Sequence, residues 1–258
     1  LQGVRAKLAD GAVSYAPGPE INRDFPHPFG EFNLSERKPL QSAEDAEAAF
    51  HTAVTTAQSA DLVIMVMGEN ADMAGEFASR GSLDLPGRQE ELLKAVHEMG
   101  KPVVLVLLNG RPLSINWAAE NIPAILEAWE PGSEGGNAVA DILFGDVTPS
   151  GKLPTTFPVR LEDNPAFINY PGENGRVLYG EGLFVGYRYY DKKKIRPLFP
   201  FGHGLSYTTF VYRKLQVQNA SFTGGEGLEI QCDVQNTGTV AGQEIVQVYV
   251  RDVASALV

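Results

Sequence analysis

Short apolar runs alternate with amphipathic stretches along residues 42–145. The apolar runs have the length and continuity of strands that are buried on both faces. They are "DLVIMVMG" (61–68), "PVVLVLLN" (102–109) and "AILEAW" (124–129). The amphipathic stretches repeat apolar residues at helical spacing. They are "SAEDAEAAFHTAVTTAQSA" (42–60), "LPGRQEELLKAVHEMG" (85–100), "SINWAAEN" (114–121) and "GSEGGNAVADILFG" (132–145). This alternation predicts βαβ units in a doubly wound parallel sheet.

Capping residues sharpen the bounds of these helices. Ser42 precedes two acids and is a predicted N-cap, whereas Gly100 and Gly145 are predicted to end the second and the last helix. Ahead of this pattern, "GAVSYAPGP" (11–19) predicts one more strand, and "QGVRAKLAD" (2–10) the end of a helix. Because no strand precedes that helix, we expect the sheet to begin upstream of this sequence.

The alternation of apolar and amphipathic stretches ends after Pro149, and the composition changes. Residues 161–200 are dense in Pro, Gly and Tyr, and we predict an extended connection there. Three β-rich runs follow: "YTTFVYRKLQVQN" (207–219), "LEIQCDVQNTG" (228–238) and "EIVQVYVRDV" (244–253). They predict the start of an all-β sandwich, which needs about seven strands. We therefore expect three parts, 1–160, 161–200 and 201–258, in a piece of a longer polypeptide or one chain of a nicked protein.

Composition excludes several classes of function. The net charge of −11 argues against a nucleic-acid partner, since binding nucleic acid needs a basic face. The longest apolar run is far shorter than a bilayer span, so no membrane partner is expected, and the first residues do not resemble a signal peptide. The single cysteine, Cys232, and four scattered histidines give no metal-ligand spacing. We expect a site without metal or cofactor.

The candidate catalytic residues lie in the segment "GENADMAGEFASR" (68–80). It follows the first predicted strand directly, at the sheet edge where ligands bind in doubly wound folds, and the connection it opens is unusually long. Its acids are Glu69, Asp72 and Glu76. A glycosidase needs one carboxylic acid over the glycosidic oxygen and, in the retaining case, a nucleophilic carboxylate about 5 Å away. The alternative interpretation is that these acids are solvated surface charges.

Five long motifs, in order along the chain, resemble the C-terminal half of glycoside hydrolase family 3 enzymes of the β-glucosidase type. They are "AGEFASRGSLDLPGRQEELLKAV", "GKPVVLVLLNGRPLSINW", "ILEAWEPGSEGGNAVADILFGDVTPSGKLPTTFP", "LFVGYRYYD" and "LFPFGHGLSYTTF". The resemblance implies an α/β fold, a flavodoxin-like and mostly parallel sheet flanked by helices. An incomplete all-β sandwich like a fibronectin type III domain is expected to follow. In the family, a preceding barrel domain carries the nucleophilic Asp, and this chain has no match to that motif.

The resemblance also implies roles for residues of the loop. The family often has Glu-Gly-Tyr-Asp-Arg where this chain has residues 76–80, so Glu76 is the expected general acid/base. Arg80 and Phe77 are expected to contact substrate, although Arg80 could instead pair with an acid and fix the loop. Glu69 is the alternative acid, or a brace for the loop. Ser79 stands where many relatives have Asp, so their substrate contacts do not transfer directly.

The expected function is part of a retaining exo-β-glucosidase that hydrolyses terminal non-reducing β-D-glucosyl residues of oligosaccharides. Two alternatives stay open: a carbohydrate-binding or assembly module without catalysis, and β-xylosidase-type specificity. The expected partners are a β-glucoside oligosaccharide and a barrel domain or chain that carries the nucleophile, with a homodimer left open. Resemblance to periplasmic bacterial members suggests a periplasmic or secreted location. Trp129, at the end of a predicted strand, would either stack on a sugar or pack in the core.

Overall fold

The computed structural model describes residues 1–21, 41–71, 73–75, 78–218 and 227–255. Its helices are α1 (Gln2–Ala6), α2 (Ala43–Gln58), α3 (Gln89–His97), α4 (Asn116–Asn121), α5 (Gly135–Leu143) and α6 (Tyr187–Lys193), with a 3-10 turn at Leu161–Asp163. Its strands are β1 (Val63–Gly68), β2 (Val103–Leu108), β3 (Ala124–Glu127), β4 (Phe210–Gln218) and β5 (Glu229–Asn236). Contacts divide the chain into a first unit, Leu1–Ala140 with Thr155–Phe201, and a second unit, Asp141–Pro154 with Gly202–Val258. The three predicted domain ranges stay a prediction.

The first unit contains the predicted parallel sheet, in the order β1-β2-β3. Met65 lies opposite Leu105, and Leu105 lies opposite Ile125. Helix α3 connects β1 to β2, and α4 connects β2 to β3. The prediction of an α/β fold with a parallel sheet is therefore confirmed.

One face of the sheet forms the main core with α2, α3 and α4. Alternate residues of β1 and β2 point into it, because successive strand residues face opposite sides of a sheet. The buried members are Phe50, Ala57, Met65, Met67, Leu85, Leu92, Leu93, Val96, Val103, Leu105, Leu107, Leu113, Ile115, Ala118 and Ile122. Val106, on the opposite face of β2, is buried too, whereas Val66 on that face of β1 is exposed.

The predicted helix ends agree with the structure. Ser42 caps α2, because its Oγ accepts a hydrogen bond from the backbone N–H of Asp45 at 3.0 Å. Gly100 and Gly145 follow α3 and α5 with φ of 70° and 79°, the left-handed conformation that commonly ends a helix. No described helix is long and apolar enough to cross a membrane.

Three local predictions were wrong. Residues 11–19 form no strand: none of the described strands supplies ladder hydrogen bonds there, and Pro17 and Pro19 have no N–H to donate. Residues 244–253 also lie outside any assigned strand, with Val250 and Val253 strongly exposed. In the connection predicted to be extended, "YRYYDKK" forms α6, between Gly186 and the left-handed Lys194, and buries Tyr190.

The second unit contains an antiparallel pair, β4 with β5. Its register shifts between Arg213 and Gln216, where Lys214 takes a positive φ of 52°, as expected for a β-bulge. Asn236 ends β5, and its Oδ1 accepts hydrogen bonds from Thr208 Oγ1 at 2.7 Å and from Gly238 N at 3.0 Å. This pair confirms the small antiparallel sheet, and the fibronectin type III-like assignment stays a prediction.

Gly68, the last residue of β1, leaves no room for a side chain. Its φ is 136°, and an added Cβ would lie 1.9 Å from the carbonyl oxygen of Leu108. We expect Gly68→Ala to lower the free energy of unfolding by at least about 3 kcal/mol, measured by urea denaturation. Gly100→Ala is the matched control, since Gly100 also has a positive φ but no atom of the described residues within 4 Å of the added Cβ. It should cost about 1 kcal/mol, and equal losses in the two variants would contradict the clash.

Candidate active site

The long loop between β1 and α3 leaves the sheet at a peptide that α3 itself holds. The backbone N–H of Gly68 donates to Gln89 Oε1 at 2.7 Å, and Gln89 Nε2 donates to the carbonyl oxygens of Gly68 at 2.8 Å and Pro86 at 2.9 Å. The first residue of α3 therefore fixes the exit of the loop and its return. Because parallel strands all end at the same edge, residues that follow β2 and β3 lie near this exit.

Glu69 is buried between two arginines at this edge. Its Oε1 lies 2.8 Å from Arg80 Nη1 and 2.9 Å from Arg111 Nε, and its Oε2 accepts from the backbone N–H of Gly110 at 3.2 Å. The exposed fractions of the side chains are 1% for Glu69, 9% for Arg80 and 23% for Arg111. We call Glu69, Arg80 and Arg111 the buried ion cluster. It joins the start of the loop, a later loop residue and the residues after β2.

One terminal nitrogen of each arginine, Nη2, donates to backbone oxygens of the loop. Arg80 Nη2 donates to the carbonyl of Asp84 at 2.8 Å. Arg111 Nη2 donates to the carbonyls of Met73 and Ala78, the latter at 2.8 Å. Each guanidinium thus combines an ion pair with contacts to the main chain. The sequence analysis missed Arg111, although "NGRP" directly after a buried strand placed a charged residue at the ligand edge of the sheet.

The predicted site residues fall into two groups. Asp72, Glu76 and Phe77 lie outside the described residues, so the acid/base role of Glu76 and the substrate contact of Phe77 stay predictions. Arg80 and Glu69 lie together in the buried ion cluster, as in the interpretation that Arg80 fixes the loop and Glu69 braces it. Their roles in substrate binding and as the alternative acid are not tested by these contacts.

One further contact joins the loop to a distant part of the first unit. Ser79 Oγ lies 3.1 Å from Tyr170 Oη, which connects the loop to the segment after residue 160.

The ring of Trp129 packs edge-on against Phe157, with the ring centroids 5.7 Å apart. The half-buried Trp129 therefore packs against an interior ring, and its backbone has a positive φ of 52°. No group of three or more described His, Cys, Asp or Glu residues could hold a metal ion.

A second acid, the half-buried Glu127, ends β3 at the same edge. The pKa of its carboxyl is raised to about 7, chiefly by burial and to a smaller extent by the charge of Glu69, while hydrogen bonds from Trp129 N and Asn109 Nδ2 oppose the rise. The bond from Trp129 N measures 2.9 Å and the one from Asn109 Nδ2 3.4 Å. Asn109 also donates to the carbonyl of Arg111 at 2.9 Å. Sequence reasoning missed Glu127 as well, because a single acid inside an apolar run gives no motif.

Comparisons with known proteins identify the relatives of this chain. A family model described as "Glycosyl hydrolase family 3 C-terminal domain" matches residues 1–207. Thermostable beta-glucosidase B of Acetivibrio thermocellus is 44% identical over 223 residues, which are 86% of this chain and 29% of that protein. Beta-glucosidase BoGH3A of Bacteroides ovatus is 42% identical over 258 residues, covering 98% of this chain and 33% of that protein.

Solved structures give the same picture. The crystal structure of a beta-glucosidase from Kluyveromyces marxianus in complex with glucose has a TM-score of 0.69 and 41% identity, covering 77% of this chain and 23% of that one. This chain therefore spans about a third or less of the length of these relatives.

Removal of Glu69 should strongly destabilise the first unit. Glu69→Ala leaves two arginines next to each other without their carboxylate, and breaking a buried pair costs about 3–5 kcal/mol. Urea denaturation should show this loss. Glu91→Ala is the control, because Glu91 also pairs with an arginine, Arg88, but its side chain is exposed. Its effect should be small, and comparable losses in both variants would contradict the importance of burial.

Glu127 makes the folded protein less stable as the pH rises from acidic to neutral. The folded state holds a proton between pH 4.5 and about 7 that the unfolded state has released. The free energy of unfolding therefore falls as pH rises through this window, by up to about 3 kcal/mol. Glu127→Gln removes the effect, so the variant should be more stable than the parent at pH 8 and about equal at pH 4. Glu120→Gln, on the exposed side of α4, should follow the parent at both pH values; an equal gain from Glu127→Gln at both would contradict the assignment.

Proposed function

Because this chain belongs to glycosyl hydrolase family 3, we propose that it is part of a retaining exo-β-glucosidase that releases terminal β-D-glucosyl residues from oligosaccharides. The match over 98% of the chain to a relative named as a beta-glucosidase, and the glucose bound to another, support this substrate class. The observation that carries the site assignment is the buried ion cluster, which anchors the loop of the predicted acid at the carboxyl edge of the sheet.

In this proposal Glu76 works twice in each turnover. It first donates a proton to the glycosidic oxygen as the bond to the leaving group breaks, while an Asp of a barrel domain attacks the sugar carbon. It then removes a proton from the water that hydrolyses the glucosyl-enzyme. The nucleophile belongs to a domain that this sequence does not include. Arg80 and Phe77 complete the proposal as residues close to the bound sugar.

The contacts of Glu69 favour Glu76 over the alternative acid. Only 1% of the Glu69 side chain is exposed, and its carboxylate pairs with two guanidinium groups, which supports a bracing role for Glu69 and Glu76 as the acid. Glu76 follows later in the same loop, between the anchored residues Met73 and Ala78 in the sequence.

We further propose that the whole protein is periplasmic or secreted and that it forms a homodimer.

The test is Glu76→Ala in the polypeptide that includes the barrel. Without the acid, kcat/KM should fall by about 100-fold or more for cellobiose, whose leaving group needs protonation, and far less for dinitrophenyl β-glucoside. Added azide should then accelerate turnover of the dinitrophenyl substrate and yield glucosyl azide, because an anion needs no base to attack the glucosyl-enzyme.

Glu98→Ala serves as the control, since Glu98 is an exposed acid at the end of α3. Its activity on both substrates should match that of the parent. Equal losses on both substrates in Glu76→Ala, without azide rescue, would assign the acid to another residue.

A further inference from the structure

We propose that Arg111 is a positioning residue for the general acid, because it holds both ends of the short segment in which Glu76 lies. This inference rests on the proposed function. Arg111 follows β2, and its Nη2 donates to the carbonyl oxygens of Met73 and Ala78. Only residues 74–77 separate these two carbonyls along the chain. One planar group therefore fixes the distance between the two ends of that segment.

The two anchor points are themselves buried. Met73 is 2% exposed and Ala78 is 4% exposed. Each is held by a main-chain hydrogen bond, since Met73 N donates to the carbonyl of Asn70 at 3.0 Å and Ala78 N to that of Gly75 at 3.3 Å. The loop also packs closely on the residues after β2, because a Cβ added to Gly110 would lie 2.5 Å from the Cβ of Ala74. The segment thus begins and ends at fixed points against the sheet edge.

Glu69 forms an ion pair with the Arg111 side chain. Its Oε1 lies 2.9 Å from Nε, on one edge of the guanidinium group, while Nη2 donates to the loop carbonyls. The contact at Nε is electrostatic, because its geometry is not that of a hydrogen bond. A planar guanidinium can pair with a carboxylate and donate to two carbonyls at the same time, whereas a lysine ammonium is a single point charge on a flexible stem. Arginine at this position is therefore required by the number and direction of the hydrogen bonds, and a positive charge alone does not replace it.

Positioning matters because proton transfer depends on geometry. A displacement of about 1 Å in a catalytic group can reduce the rate about 100-fold. Arg111 binds main-chain oxygens and Glu69, so its effect on the reaction passes through the loop. Its loss should therefore act on the step that needs the acid and should leave the attack on substrates with good leaving groups nearly unchanged.

The experiment compares Arg111→Lys and Arg111→Met with the parent in the polypeptide that includes the barrel. The readout is the ratio of kcat/KM for cellobiose to kcat/KM for dinitrophenyl β-glucoside, which does not depend on the amount of folded enzyme. We expect this ratio to fall by about 30- to 100-fold in both variants, with kcat/KM for dinitrophenyl β-glucoside, which reports the first step, within about threefold of the parent value. Arg111→Lys retains a cation for Glu69, so it should fold even where Arg111→Met does not.

Arg88→Met is the matched control, since Arg88 also binds two glutamates, Glu47 and Glu91, but on an exposed surface. It should leave the ratio unchanged. If Arg111→Lys lowers kcat/KM equally for both substrates, or leaves the ratio at the parent value, the positioning role is wrong.

The result for Glu76→Ala separates the two proposals. When that variant loses cellobiose hydrolysis and is rescued by azide while Arg111→Lys keeps the parent ratio, only the positioning role fails. When Glu76→Ala itself shows no selective loss, the proposed function of the loop fails and the inference fails with it.

Discussion

The carboxylate of Glu69 between the guanidinium groups of Arg80 and Arg111 is the interaction on which the geometry of the sheet edge depends. Burial of a charge is costly unless it is paired and its remaining hydrogen-bonding groups are satisfied. Here the three charged groups come from the end of β1, from the return of the loop and from the residues after β2. Main-chain carbonyls of the loop accept further N–H groups of both arginines. The loop is therefore fixed by electrostatic contacts where its small residues offer little apolar surface to pack.

Small residues are what allow these charges to come together. Gly68 lets β1 end against the carbonyl of Leu108, and Gly110 lets Ala74 approach the chain after β2. A side chain at either glycine would push the loop away from the sheet and lengthen the distances in the buried ion cluster. The two glycines at the strand ends thus have a steric reason, because they let the backbone of the loop lie close to the residues after β2.

The sequence predicted the repeating elements well, because burial imposes a periodic pattern. β1, β2, β3 and helices α2 to α5 follow from apolar runs, helical spacing and capping residues such as Ser42 and Gly100. Predictions failed where tertiary context decides. Residues 244–253 have the composition of a strand but form no ladder, and "YRYYDKK" forms a helix inside a segment without clear periodicity.

The site was predicted only in part, for a related reason. A loop rich in acids after a buried strand marked the place, and pairing of Arg80 with an acid was one of the two interpretations offered for it. Neither Arg111 nor Glu127 was singled out, because each belongs to a different strand end and meets the loop only through the parallel sheet. Contacts between strand ends are set by strand order, and a hydrophobic pattern alone does not give the order β1-β2-β3.

The position of Glu127 gives this edge an electrostatic balance that changes near neutral pH. Protonation of Glu127 removes one negative charge from the edge that also holds Glu69, Arg80 and Arg111. Desolvation favours the protonated form, which is why the pKa of Glu127 rises to about 7. Asn109 links this acid to the carbonyl of Arg111, so the chain that orients the loop also contacts the group that titrates. The sheet edge therefore combines a fixed ion cluster with one acid whose charge follows the pH.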